Sequence, residues 1–212
     1  VMPSLETLVE NWESEAAFAR IPEAAQVDLP GREVTIETPD KANAVYLAGL
    51  NLAIKDGDAD FAPLVMANFI LGGGSLASRL GDRVRQQEGL SYGIRSGFSA
   101  HPIDDRGRLT ISAITNPINR TKLEKAISEE LNRWIEEGIT EEELKRAQQG
   151  YLQGQQLQRS NDRVLTGLIG STLFAGRTLD YYADLEKAIG RLYPEAVNET
   201  VRKRISSNKL IQ

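Results

Sequence analysis

Cysteine is absent from this chain, and histidine occurs once, at His101. The first absence removes disulfides, thiolate nucleophiles and cysteine-ligated zinc, while leaving the redox compartment open. The second removes most of the remaining routes to hydrolysis. Catalytic zinc is usually held by more than one imidazole, and a Ser–His pair needs its imidazole beside a serine. Long apolar runs are missing too: nothing approaches the roughly 20 residues that cross a bilayer, and the start "VMPSLETLVENWESE" has neither a basic cluster nor an apolar stretch. Nor is there an excess of positive charge. A formal charge of −5 argues against general nucleic-acid binding, which depends on clustered Lys and Arg. What is present is the composition of a soluble globular protein: 212 residues, 41% hydrophobic and 26% charged, enough to enclose a proper core.

Residues 1–31 combine a short helical pattern, "SLETLVENW", with the connector-like "RIPEAAQVDLPG", and read as a linker or N-terminal extension to a domain spanning 32–212. Val1 in place of an initiator Met points to excision from a longer chain. "REVTIETPD" and "NAVYLAGLNLAI" read as adjacent antiparallel strands separated by the turn residues "TPDKAN". From Asp58 the period becomes helical, with Phe61, Leu64, Val65 and Phe69 on one face, Asp58 or Asp60 as the cap, and an end at glycines 72–74. Leu76, Leu80 and Val84 then mark a second helix, with Arg79, Arg83 and Arg85 turned away from that stripe. Gly89 suits a left-handed position after its last turn, from which Leu90 folds back on Val84.

"SYGIRSGFSAH" and "GRLTISAIT" form an expected hairpin across "PIDDRG". A helix follows with Leu123, Ala126, Ile127, Leu131, Trp134 and Ile135 on one side, stopping at Gly138. Thr140 and Glu143 have capping-box spacing and open a long helix to about Arg159, and Ser160 or Asn161 caps the next. Two shorter helices follow Asp180 and Pro194, and "SSNKLIQ" reads as a turn entering a strand. Strands in groups, with helices between the groups, indicate an α+β fold: a largely antiparallel sheet covered by helices.

Three glycines, Gly72, Gly73 and Gly74, invite a phosphate reading, but they follow a helix and lack the P-loop and dinucleotide fingerprints. A tight corner with close backbone packing is the plainer account. For His101 it is a hydrogen-bonded strand-end residue, and for "EEGITEEELKR" it is helix-start charge. Arg85 and Tyr92 run from a last helical turn across a glycine cap into a strand, so both side chains can reach one corner. A guanidinium and a phenol supply no nucleophile at neutral pH, but they donate hydrogen bonds to carbonyl oxygens, as stabilising an amide's tetrahedral intermediate requires. The alternative at this point is a surface ion pair for Arg85 and sheet packing for Tyr92.

"NFILGGGSLASRLGDRVRQQEGLSYGIRSGF" closely resembles the signature of the non-zinc-binding homologous domain of M16 (insulinase, pitrilysin, mitochondrial processing peptidase) metallopeptidases: Asn and glycines, then S-R-L, then R-x-x-x-G-L-x-Y. "GITEEELKRAQ" has the family's look as well, and the order of elements fits from about Glu33 onward. The resemblance implies one α+β domain of a clam-like chamber around an extended peptide. It also implies a zinc-binding N-terminal domain or subunit as partner, carrying H-x-x-E-H and the zinc, with no metal or other cofactor in this chain. Tyr92 then contacts the scissile carbonyl and Arg85 holds substrate backbone, with Gly72, Gly73, Gly74 and Ser75 as further substrate contacts. The short loop over residues 72–78 lacks the glycine-rich insertion of the mitochondrial α-subunit, which argues against presequence processing. A respiratory-complex-type scaffold without peptidase role is the second expectation. Others are a soluble protein of a bacterial periplasm or cytoplasm, a peptide substrate, no nucleic acid or membrane partner, and dimers formed through surface that the missing half normally covers.

Overall fold

A computed structural model describes residues 2–13, 16–74 and 78–212. Three antiparallel strands, β1 (Ala44–Leu52), β2 (Ser91–Ala100) and β3 (Gly107–Thr115), form one sheet in the order β1-β3-β2. One face is apolar and buried, with Ala48, Leu50 and Leu52 on β1 and Leu109, Ile111 and Ala113 on β3. The period-2 alternation read from "GRLTISAIT" is thus a true two-faced strand.

The core-forming helices lie against that buried face. In chain order the helices are α1 (Met2–Glu10), which buries none of its residues, α2 (Phe61–Asn68), α3 (Arg120–Glu137), α4 (Glu141–Arg159), α5 (Asp162–Phe174), α6 (Asp180–Gly190) and α7 (Pro194–Arg204). α2 packs on α7, α6 and β2, and its Leu64, Met66 and Ala67 join one core with Leu123, Ile127, Leu131 and Trp134 of α3, Ile189 of α6 and Val197 of α7. The expected α+β architecture holds. Among the described residues no helix is long and apolar enough to cross a membrane.

Local signals in the sequence translate directly. The Thr140 hydroxyl accepts from Glu143 N–H while the Glu143 carboxylate accepts from Thr140 N–H, closing the capping box. Asn161 caps α5, and Gly138 turns the chain after α3 at φ 76°.

Two readings are corrected. The segment after Gly31 does not pair with β1. Arg32 and Val34 N–H groups donate to the carbonyls of Leu210 and Gln212, Gln212 N–H returns to Arg32, and Ile211 exchanges hydrogen bonds with Gly49 of β1. The C-terminal segment takes the place beside β1 because it bonds on both sides, parallel to Arg32 and antiparallel to Gly49. The α2 cap also differs. Asp60 stands at the N-cap position without a capping hydrogen bond because its carboxylate binds Lys203 and Arg204, while Asp58 accepts from Lys55 N–H.

Residues 16–31 contain no helix or strand but are held along the sheet. Arg20 grips Asp104 with two 2.7 Å hydrogen bonds, Ala25 N–H donates to Asp105, and the carbonyls of Gln26 and Val27 accept from Asn51 and Lys209.

Candidate functional site

The helix that opens as α2 does not stay α. It widens into a π-helical turn, Phe69–Gly73, closed by a 2.8 Å bond from Gly74 N–H to the Phe69 carbonyl. Gly72 is buried here, and a Cβ on it would stand 2.6 Å from Ser96 N and 2.7 Å from Ser96 Oγ of β2. Close helix-to-strand approach therefore explains this glycine. Gly73 is exposed and Gly74 partly so, while Ser75 and Leu76 lie outside the described residues.

A second π-helical segment, Gly81–Gln87, leads to the Arg85–Tyr92 corner. Its stripe is as read: Leu80 and Val84 are fully buried. Gly89 has φ 62°, and the next residue, Leu90, returns its N–H to the Val84 carbonyl at 2.9 Å, two residues wider than the usual α-helical closure.

The arginines of this segment have separate fates. Arg79 was expected to face away from the core, but its side chain is only 15% exposed and donates to the Glu143 carboxylate at 2.7 and 2.9 Å and to the Gly138 carbonyl. The correction has a physical cause: the acidic start of α4 and buried Glu130 of α3 face it and neutralise it. Burial opposes charge on both Arg79 and Glu143, yet their mutual hydrogen bonds prevail, raising the arginine pKa and lowering that of the carboxylate. Arg83 pairs with Glu88 and Glu129. Arg85 is exposed at the last turn and has no ion pair among the described residues.

Tyr92 occupies a β-bulge. Ser91 pairs with Thr115 and Gly93 with Ile114, which leaves Tyr92 as the extra residue of β2. Its side chain is 96% exposed. The bulge is pinned: Ser91 Oγ donates to the Ile114 carbonyl at 2.6 Å and accepts from Gly93 N–H at 3.1 Å, while Thr115 Oγ1 donates to the Leu90 carbonyl at 2.5 Å. The sequence reading passed over Ser91 and Thr115. Neither hydroxyl carries a signal until the strand pairing brings Thr115 to Leu90 and Ile114 to Ser91.

Helix segment and strand are packed together, so Arg85 and Tyr92 flank one edge of the sheet, with β2 as edge strand. Both offer donors to solvent, and neither is hydrogen-bonded to the other. His101 sits at the end of β2, its Nδ1 accepting from Ile103 and Asp104 N–H at 3.2 and 2.9 Å, which is the strand-end role read from sequence. Among the described residues no group of three His, Asp or Glu side chains is placed to hold a metal ion.

In sequence the chain matches the family model described as the peptidase M16 inactive domain, over residues 2–151. No curated protein matches it. A solved M16 inactive domain from Pseudomonas fluorescens shares 26% identity and superposes at a TM-score of 0.77, covering 92% of this chain and 45% of that one. A protease from Helicobacter pylori has the same fold at 15% identity, TM-score 0.80, covering 99% of this chain and 51% of that one. The periplasmic protease PqqL from Escherichia coli does so at 18% identity, TM-score 0.68, covering 100% of this chain and 24% of that one. This chain therefore spans about half the length of the first two. The family match, extending over more than half of the sequence and joined to the glycine-capped Arg85–Tyr92 segment, makes this chain a member of the M16 peptidase family, in its inactive-domain class.

Proposed function

We propose that this chain is the non-catalytic half of an M16-type zinc-dependent endopeptidase, with residues 32–212 as the working domain and 1–31 as the segment that connects it to its surroundings. The zinc-binding half is its partner, fused or separate, and supplies the metal-activated water. This chain's residues bind and orient an extended peptide: Arg85 donates to a substrate backbone carbonyl, and the Tyr92 phenol donates to the scissile carbonyl oxygen as charge develops on it. Gly73 and Gly74 flank the same path, and Ser75 belongs with them by sequence.

The observation that supports this best is the pinned bulge at Tyr92. Exposing a tyrosine almost completely, at the one irregular position of its strand, gains nothing for the core. It serves a side chain aimed at something outside the domain.

The test is Tyr92→Phe in the assembled two-half enzyme. Turnover should fall by about 10²–10³ with zinc content unchanged, the usual loss for one oxyanion donor. Unaltered turnover rejects the role. A stable complex with an H-x-x-E-H half that cleaves no peptide supports the scaffold alternative instead.

A further inference from the structure

Beyond the Tyr92 corner, the uncovered sheet face carries a groove of about 870 Å³. Its floor is one cross-strand row, Gly49, Thr110 and Gly97, so two of three positions have no side chain. The neighbouring rows bring in Arg95, paired with Ser112, and Arg108, paired with Asn51. The Arg108 guanidinium lies over Gly49, with Nη2 3.4 Å from where a Cβ would be, and Arg95 Nε is 3.3 Å from Ser112 Oγ. Gln26, Val27 and Leu29 of the N-terminal segment, with Lys209 and Ile211 near the C-terminus, form the wall, and the intervening Asp28 lies outside it.

The charge here is one-sided. Arg95, Arg108 and Lys209 line the groove, and no Asp or Glu side chain does. Among the described residues none of the three has a carboxylate partner, and Lys209 reaches only the Val27 carbonyl at 3.3 Å. In a chain of net charge −5, whose half-buried arginines are paired, three exposed cations lining one groove without a carboxylate partner favour an anionic ligand. The apolar portions of Leu47, Val27 and Ile211 suit a peptide rather than a long polyanion, which the acidic remainder of the surface would repel.

We infer that this groove is a subsite for acidic residues of a bound peptide: Arg95 and Arg108 receive carboxylates, and Gly49 and Gly97 admit the main chain close to the sheet. Arg95 lies three positions beyond Tyr92 on the same edge strand, so the groove begins close to the tyrosine corner. The inference rests on the proposal that peptide passes Tyr92, but its test is independent of turnover.

Fluorescence anisotropy of the chain with labelled hexaglutamate and hexaglutamine is the measurement. At low ionic strength hexaglutamate should bind about tenfold tighter, and added salt should erase the preference, because exposed charges are screened beyond about 8 Å at physiological ionic strength. R95Q/R108Q should abolish the difference, and R95K/R108K should keep most of it. Both arginines are exposed, so the variants' thermal unfolding should match that of the parent. Equal binding of the two peptides, or a preference that survives R95Q/R108Q, overturns the inference. So does tighter binding of an oligothymidylate than of hexaglutamate. Loss of turnover in Tyr92→Phe with no acidic preference would sink the groove alone; acidic preference with unaltered turnover would sink the reading of Tyr92 alone.

Discussion

Gly72 and Ser91 show how single residues set this site. Gly72 lets the π-helical turn touch the β2 backbone, where an added methyl meets Ser96 N at 2.6 Å, a distance no real Cβ contact tolerates. Backbone gives way poorly, so Gly72→Ala should destabilise the domain by about 1–3 kcal/mol, read as a lowered urea midpoint with unchanged slope. An unchanged midpoint would show that the close approach carries no cost. Ser91 holds the bulge with its hydroxyl, and this contribution is invisible in sequence. A serine at a strand start is ordinary until Ile114 and Gly93 are known to lie within its reach. The turn that leads to Tyr92, by contrast, is legible from Gly89, which takes the left-handed φ its position requires.

Among the elements, legibility follows the range of the signal. The capping box, the Gly138 stop, the α3 stripe and the left-handed Gly89 depend on residues within a turn or two, and all were readable. The burial of Arg79 was not, because Glu143 lies 64 positions away and only the fold brings them together. Nor was the pairing of residues 32–34, whose partners are at the opposite end of the chain. Arg79 ties the π-helical segment to α3 and α4 through Glu130 and Glu143. Removing it leaves the Glu130 carboxylate, only 1% exposed, with Arg133 as its remaining partner. Arg79→Met should therefore cost about 3 kcal/mol, more than an exposed pair is worth, as measured by denaturant unfolding. A change under about 0.5 kcal/mol would mean the pair is replaceable.

At the scale of the whole molecule, ion pairs tie distant segments together, and their carboxylates set its acid response. Arg20 holds the Asp104 pKa down to about 2, and it outweighs burial, which acts in the opposite direction. For Asp60 burial pushes upward, but Lys203 and Arg204 prevail and the shift is downward; Glu143 follows the same pattern with Arg79. Each lowered pKa gives stability that is present above the unfolded carboxylate range, about pH 4, and lost as pH falls through the folded value. Unfolding midpoints followed by tryptophan fluorescence should thus be flat above about pH 5 and drop toward pH 2, with Asp104→Asn removing part of that slope. A midpoint indifferent to acid would contradict these assignments.

The seating of Ile211 between Arg32 and Gly49 also has a consequence in time. As the chain leaves a ribosome, the slot beside β1 stays vacant until residues 210–212 emerge, long after β1 itself, and residues 32–34 cannot be fastened before then. One wall of the cationic groove is accordingly completed after the three-stranded sheet, so a nascent chain held between Thr115 and Leu210 would carry the tyrosine corner without a finished channel beside it.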